Sequence, residues 1–126
     1  MIDEKYYEGY EGEGAYTFYF LNKDGVKEGL SCWEGYFVSL LSGCFYPSYS
    51  SGGIVQYYNN CLESIIEPWK IKDLMLAITE LRNYNKDNAE IYSESMYDEN
   101  EELRQQLLSL LEKAQSEGFD VYIEYD

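Results

Sequence analysis

Residues 15–21, Ala15-Tyr16-Thr17-Phe18-Tyr19-Phe20-Leu21, are the most strand-like stretch of this 126-residue chain. Aromatic and β-branched side chains dominate the stretch, and such side chains fit the pleated, half-buried surface of a strand. The turn-forming run Asn22-Lys23-Asp24-Gly25 follows directly. The pattern therefore predicts a strand over residues 15–21 that ends in a turn.

A second strand is predicted at the far end of the chain, where the side chains of Asp120-Val121-Tyr122-Ile123-Glu124-Tyr125 alternate in character. Because helical patterns fill the sequence between these two strands, we expect the strands to pair with each other. The expected fold class is α+β, with a small sheet formed by N- and C-terminal strands packed against about four helices. We expect a single domain over residues 1–126, with residues 1–14 as a flexible, glycine-containing end.

The first two predicted helices lie in the middle of the chain, where apolar residues recur at helical spacing. The first covers about residues 32–43 and begins at Ser31-Cys32-Trp33-Glu34, which has the capping-box pattern. Pro47 and a serine- and glycine-rich run end it. The second covers residues 54–66 and ends before Pro68.

The later predicted helices are delimited by proline and glycine. A third helix begins at Pro68, because proline suits a first helical turn, and it runs to about Tyr84. The last helix begins near Asp98 and ends at Gly118, where a left-handed cap is expected. Between them, residues 90–93 are predicted to form a short edge strand.

Composition favours a binding protein over an enzyme. The chain has no histidine, which excludes Ser-His-Asp and Cys-His catalysis and any zinc site that contains histidine. Cys32, Cys44 and Cys61 form no C-x-x-C pair and are expected to be buried free thiols in a reducing compartment. We assign no catalytic residue, cofactor, nucleotide site or metal site. The enzymatic alternative is a hydrolase that uses carboxylates alone or a metal-dependent activity.

Location and partner class follow from hydropathy and charge. No apolar run approaches the roughly 20 residues that span a bilayer, and the amino terminus is acidic, so we expect a cytoplasmic protein without membrane contact. The chain carries 24 Asp and Glu against 9 Lys and Arg, a net charge of −15. Such a charge repels nucleic acids and anionic lipids, which makes a basic protein the expected partner.

Tyrosines and carboxylates supply the candidate binding residues. The 15 tyrosines far exceed the usual share, and exposed tyrosine provides rigid contact area at protein interfaces. Several, including Tyr6, Tyr7, Tyr10, Tyr92 and Tyr97, fall where a core has no need of them. The acids at 98–102 also suit helix capping on a solvated face, which stays open as their alternative role. The predicted partner-binding residues are Tyr46, Tyr49, Tyr57, Tyr58, Glu94, Asp98, Glu99, Glu101 and Glu102.

A local resemblance concerns residues 111–123, Leu-Glu-Lys-Ala-Gln-Ser-Glu-Gly-Phe-Asp-Val-Tyr-Ile. This run is similar to the final helix and strand of barstar, the inhibitor of a secreted ribonuclease. In barstar that element is scaffold, and the inhibitory acids come from an earlier stretch. The corresponding residues here, about 46–63, contain Glu63 as their only acid.

In general character the chain resembles the immunity proteins of bacterial toxin systems, including contact-dependent growth inhibition and other polymorphic toxins. These proteins are small, acidic, cytoplasmic and enzymatically silent. The resemblance implies an antitoxin that neutralises a cognate toxin, often a basic nuclease domain, by stoichiometric protein-protein interaction. The alternative is a phage-type acidic nucleic-acid mimic that inhibits a host nuclease or DNA-binding protein.

Overall fold

The computed structural model describes residues 1–44, 53–55, 57, 68–89, 91 and 94–126. These residues confirm the α+β class, with three bounded helices rather than about four. A short 3-10 helix lies at Lys86–Asn88. The strands are β1 (Ile2–Tyr6), β2 (Ala15–Leu21), β3 (Lys27–Trp33), β4 (Trp69–Lys70) and β5 (Val121–Tyr125), and the helices are α1 (Glu34–Cys44), α2 (Leu74–Arg82) and α3 (Ser95–Glu117).

Strand β2 is the centre of the sheet, whose strand order is β1-β3-β2-β5-β4. It pairs antiparallel with β3 on one side, where Phe18 lies opposite Leu30. On the other side it pairs antiparallel with β5, where Phe18 lies opposite Ile123. The predicted pairing of the amino- and carboxyl-terminal strands is confirmed, and β1 adds to the outer edge of β3 in parallel orientation.

The core lies between one face of the sheet and the helices. Alternate residues of β2 point to this face, and Phe18 and Phe20 are at most 1% exposed. Phe37 of α1 stacks on Tyr16 with ring centroids 3.9 Å apart. From α3, the leucine stripe of the predicted last helix is buried in the same core, at Leu103, Leu107 and Leu111. Complete burial of each large apolar side chain contributes about 1.5–3 kcal/mol to folding.

The capping box predicted at Ser31 is wrong, because residues 31–33 belong to strand β3. The Ser31 hydroxyl lies 2.6 Å from the Thr17 hydroxyl on β2, so it pairs across the sheet instead of with a helix amide. Helix α1 begins two residues later than predicted, at Glu34. Ladder bonds to β2 over residues 27–33 outweigh the local capping pattern.

Helix α2 begins at Leu74, so the helix start predicted at Pro68 is also wrong. Trp69 and Lys70 instead form β4, which pairs antiparallel with β5 at the sheet edge. The actual N-cap is Asp73, whose carboxylate accepts a hydrogen bond from the Leu76 amide at 3.0 Å. The local sequence thus contains a better helix-start signal at Asp73, a few residues after the predicted start at Pro68.

The last predicted helix and its cap are confirmed, with one shift. Helix α3 begins at Ser95 rather than near Asp98, which lies in its first turn. Gly118 adopts a left-handed conformation with φ of 77°, as predicted. Of the predicted helix 54–66, Ile54, Val55 and Tyr57 are helical, and the rest lies outside the described residues. Most of the strand predicted at 90–93 also lies outside them.

Two of the three cysteines are described, and both are buried free thiols, as predicted. Burial raises the pKa of the Cys32 and Cys44 thiols to about 12. At neutral pH both therefore stay protonated, which makes them poor nucleophiles. Cys61 lies outside the described residues.

Glu80 on α2 is a buried carboxyl group, with the residue 8% exposed. One oxygen, Oε1, accepts hydrogen bonds from the backbone amides of Ile54 at 2.7 Å and Val55 at 3.4 Å. The other, Oε2, is buried without a hydrogen-bond partner among the described residues. Burial raises the pKa of this carboxyl above 4.5, and the two amide donors offset only part of the rise.

This raised pKa predicts a pH-dependent loss of stability. Because the folded chain holds the Glu80 proton more tightly than the unfolded chain, the stabilisation is complete below pH 4.5. It is lost as the pH rises through the pKa of the folded state. We expect the free energy of unfolding of the wild type to fall with pH relative to Glu80→Gln, as measured by urea denaturation from about pH 4 to 8. Glu117→Gln, which removes an exposed carboxyl, is the control, and a pH-independent difference between wild type and Glu80→Gln would contradict the prediction.

Candidate protein-binding surface

The predicted acidic residues surround the start of helix α3. Glu94 is the N-cap residue but makes no side-chain capping bond. Glu94 and Asp98 are exposed, and their carboxylates accept no hydrogen bond from the residues that the structure describes. The positive end of the helix dipole stabilises negative charge at this position. No cation among the described residues pairs with these two carboxylates, so an approaching molecule can contact both.

The other acids of this group have partners within the chain. Glu101 accepts two hydrogen bonds from the Arg104 guanidinium, at 3.0 and 2.6 Å, and one from Gln105. Glu102 accepts a bond of 2.5 Å from Lys5 of β1. The Arg104 guanidinium lowers the pKa of Glu101, and the Lys5 ammonium lowers that of Glu102. Each of these two charges is locally balanced by a cation.

An aromatic cluster connects the amino-terminal loop to this helix start. The ring of Tyr10 stacks on Trp33 with centroids 4.1 Å apart and an interplanar angle of 8°. Tyr36 meets both rings edge-on, and its hydroxyl lies 3.2 Å from that of Tyr10. The Trp33 indole N–H donates to Glu13 at 3.3 Å. The glycine-containing loop at 7–14 is thus packed onto α1 and the end of β3.

Carboxylates of α3 influence two tyrosine hydroxyls of this region. Burial raises the pKa of Tyr36, and the nearby Glu99 carboxylate of α3 raises it further. In the same way, burial followed by the charge of Glu102 raises the pKa of Tyr6 to about 12. Both phenols stay neutral and can donate to the carboxylates. We call the combined set the acidic-aromatic surface, which consists of Tyr10, Glu13, Trp33, Tyr36, Asp98 and Glu99. Tyr36 is 8% exposed, so the half-buried rings of Tyr10 and Trp33 supply its aromatic contact area.

Tyr57 is the one predicted partner-binding tyrosine within the described residues, and the structure buries it. Tyr57 is 1% exposed and packs against Tyr16, Phe37 and Trp69, so its placement on a binding surface is wrong. Its aromatic neighbours come from distant parts of the chain, which local sequence cannot reveal. Tyr46, Tyr49 and Tyr58 lie outside the described residues.

The remaining tyrosines differ in exposure. Tyr6 is buried, Tyr7 is half-buried, and Tyr97 is 42% exposed beside the acids of α3. Trp33 and Tyr36, which complete the aromatic cluster, were absent from the predicted set. Their sequence signal is weak, because both residues match the apolar spacing expected of a core helix.

A groove lies beside this cluster and shares Trp33 with it. It has a volume of 380 Å³ and is lined by Tyr16, Trp33, Glu34, Gly35 and Val38. We call it the Trp33 groove. Its lining is mainly apolar, and Glu34 supplies its one carboxylate. That carboxylate accepts a hydrogen bond of 2.7 Å from the Tyr125 hydroxyl, which projects from the end of β5.

The stacking of Tyr10 on Trp33 predicts a measurable contribution to stability. An aromatic pair of this geometry is worth about 0.5–1.5 kcal/mol beyond area burial. We expect Tyr10→Leu to lower the free energy of unfolding by about 1 kcal/mol in urea denaturation. The matched control is Tyr97→Leu, an exposed tyrosine, which should change it by less than about 0.5 kcal/mol. Equal losses in the two variants would show that the loop is not held by this stack.

The geometry of the acidic-aromatic surface is the main observation that bears on the function of the chain. In residues 1–44, 68–89 and the other described parts, no group of three or more His, Cys, Asp or Glu side chains could hold a metal ion. No helix in the described part of the chain is long and apolar enough to cross a membrane. Comparisons with protein-family models, with curated proteins and with solved structures found no match.

Proposed function

We propose that this chain is a cytoplasmic immunity protein that binds a cognate bacterial toxin and neutralises it by stoichiometric protein-protein interaction. The expected partner is a basic domain, such as a nuclease. The net charge of −15 supports this proposal, because it attracts a cationic protein and repels the phosphate backbone of a nucleic acid. Twelve acids against two bases in residues 87–126 concentrate that charge near α3.

The acidic-aromatic surface is the single observation that carries the proposal. Carboxylates alone are common on protein surfaces, but here Glu13 and Glu99 adjoin a stacked aromatic cluster. The aromatic rings are held in place before binding, so little conformational entropy is lost when a partner covers them. Charge on such a surface speeds the encounter, and the rigid aromatic contacts slow dissociation.

The internal ion pairs divide the acids by expected role. Glu101 and Glu102 are already paired with Arg104 and Lys5, so a partner's cation must compete with these groups. Asp98 has no such competitor among the described residues. Glu99 is half-buried, and its carboxylate interacts electrostatically with the Tyr36 hydroxyl of the aromatic cluster. We therefore expect Asp98 and Glu99 to contribute more to partner binding than Glu101 does.

Affinity capture tests the proposal at its first step. The tagged chain is incubated with lysate of its native host at low and at high salt, and bound proteins are identified by mass spectrometry. We expect one basic protein at a 1:1 ratio that is weakened by salt, and we expect the chain to abolish that protein's toxicity in cells. A captured protein whose toxicity is unaffected would contradict the proposal. Inhibition of several unrelated DNA-binding proteins would instead favour the nucleic-acid mimic.

Charge reversal on α3 then locates the surface. We expect Asp98→Lys to lower the association rate constant with the captured partner by on the order of tenfold at low salt, and to reduce its salt dependence. Surface plasmon resonance over a range of salt concentrations measures both quantities.

The matched control for this variant is Glu117→Lys, which changes the net charge equally at the opposite end of the same helix. It should reduce the rate far less. Equal effects of the two variants would mean that only total charge matters and that the start of α3 is not at the interface. Circular dichroism confirms that both variants remain folded.

A further inference from the structure

The Trp33 groove combines an apolar wall with a single carboxylate at its edge. The rings of Tyr16 and Trp33 and the side chain of Val38 supply the apolar lining. The Trp33 ring lies directly over Gly35, where the β-carbon of any other residue would come within 2.2 Å of it. Only glycine at position 35 therefore permits this position of the indole. The groove is a built feature of the β3–α1 junction.

The Glu34 carboxylate is the polar group of the groove, and its hydrogen-bond donor is neutral. Oε2 accepts a hydrogen bond from the Tyr125 hydroxyl at 2.7 Å. None of the ion pairs among the described residues includes Glu34. The positive end of the α1 dipole is equivalent to about half an elementary charge, so it offsets only part of the charge of Glu34. This end of the groove therefore keeps a net negative charge.

We propose that the Trp33 groove receives a lysine or arginine side chain of the basic partner. This inference rests on the proposed function and names the contact that its partner makes. The aliphatic stem would lie along Tyr16, Trp33 and Val38, as the stems of basic side chains commonly do on apolar surface. The cationic head would reach the carboxylate of Glu34.

Charge complementarity favours this occupant over others. An anionic group would meet both Glu34 and the overall charge of −15. A purely apolar side chain would leave the carboxylate desolvated without a new partner, which costs free energy.

A peptide titration tests the groove without the natural partner. Acetyl-Gly-Arg-Gly amide is added to the ¹⁵N-labelled chain, and two-dimensional NMR follows the amides of Glu34, Gly35 and Val38 and the indole N–H of Trp33. We expect saturating shifts with a dissociation constant on the order of 1–10 mM. The indole N–H of Trp69 is the internal reference and should not follow the same curve.

Variants of the peptide and of the protein test the charge contact with Glu34 and the apolar contact in the groove separately. The citrulline analogue of the peptide is nearly isosteric but neutral, and we expect it to bind at least fivefold more weakly. Glu34→Gln removes the charge and Val38→Phe fills the groove, so each should weaken binding of the arginine peptide at least fivefold. Glu117→Gln, which removes an equal charge elsewhere, should leave it unchanged. Spectra of the free variants show directly whether each remains folded.

Several results would overturn the inference. The first is a chemical shift change that stays linear up to peptide concentrations well above the expected dissociation constant. The second is equal binding of the arginine and citrulline peptides. The third is that Glu34→Gln binds the arginine peptide as tightly as the wild type does. With the captured partner in hand, full affinity of Glu34→Gln would also remove the groove from the interface while the immunity function stands. Absence of any 1:1 partner defeats the proposed function instead, and the peptide titration reports on the groove independently of that outcome.

Discussion

The pairing of β2 with both β3 and β5 is the constraint on which the rest of the structure depends. It joins residues 15–21 to residues 121–125, so the two ends of the chain meet in the middle of the sheet. Helix α3 leads directly into β5 through the left-handed turn at Gly118, and its position is therefore fixed relative to β2. The same ladder places β3, and with it Trp33 and the start of α1, beside the amino-terminal loop. The acidic-aromatic surface exists because this sheet brings acids from both ends of the chain together.

The negative charge on which the proposed partner binding depends also opposes folding. A net charge of −15 on 126 residues produces repulsion within the compact state. Three of the described ion pairs connect distant elements: Lys5 with Glu102, Lys27 with Glu124 and Lys113 with Glu28. All three of these pairs are largely exposed, so each contributes little to stability. The aromatic and leucine-rich core therefore supplies most of the stability, and the ion pairs moderate the repulsion. Binding of a basic partner would reduce the repulsion that the negative charges of Glu94 and Asp98 cause.

Sequence patterns predicted the elements whose signals are local. Strands β2 and β5, the body of α1, the leucine stripe of α3 and the cap at Gly118 follow from side-chain alternation, helical spacing and glycine conformation. Strand β3 was missed because Ser31 and Glu34 match a capping box, while the β2 ladder that overrides it depends on residues elsewhere in the chain. Strand β4 is two residues long and exists only through its pairing with β5, which is far away in sequence.

The candidate site shows the same division between local and long-range information. Exposure of Glu94 and Asp98 follows from a polar helix start, and sequence is sufficient to predict it. The aromatic cluster of Tyr10, Trp33 and Tyr36 requires the loop, β3 and α1 to meet, which no local pattern indicates. Tyr57 illustrates the opposite case, because a tyrosine near a serine- and glycine-rich run was expected at the surface and instead fills the core between Tyr16, Phe37 and Trp69.

Hydrogen–deuterium exchange of the chain, free and bound to its captured partner, tests the central claim most directly. Binding through the acidic-aromatic surface predicts slowed exchange in the loop at 7–14 and in the first turns of α3, residues 95–104. It also predicts unchanged exchange at the carboxyl-terminal end of α3, residues 111–118. Protection confined to that distal end or to β4, with the loop and the start of α3 unaffected, would contradict the account.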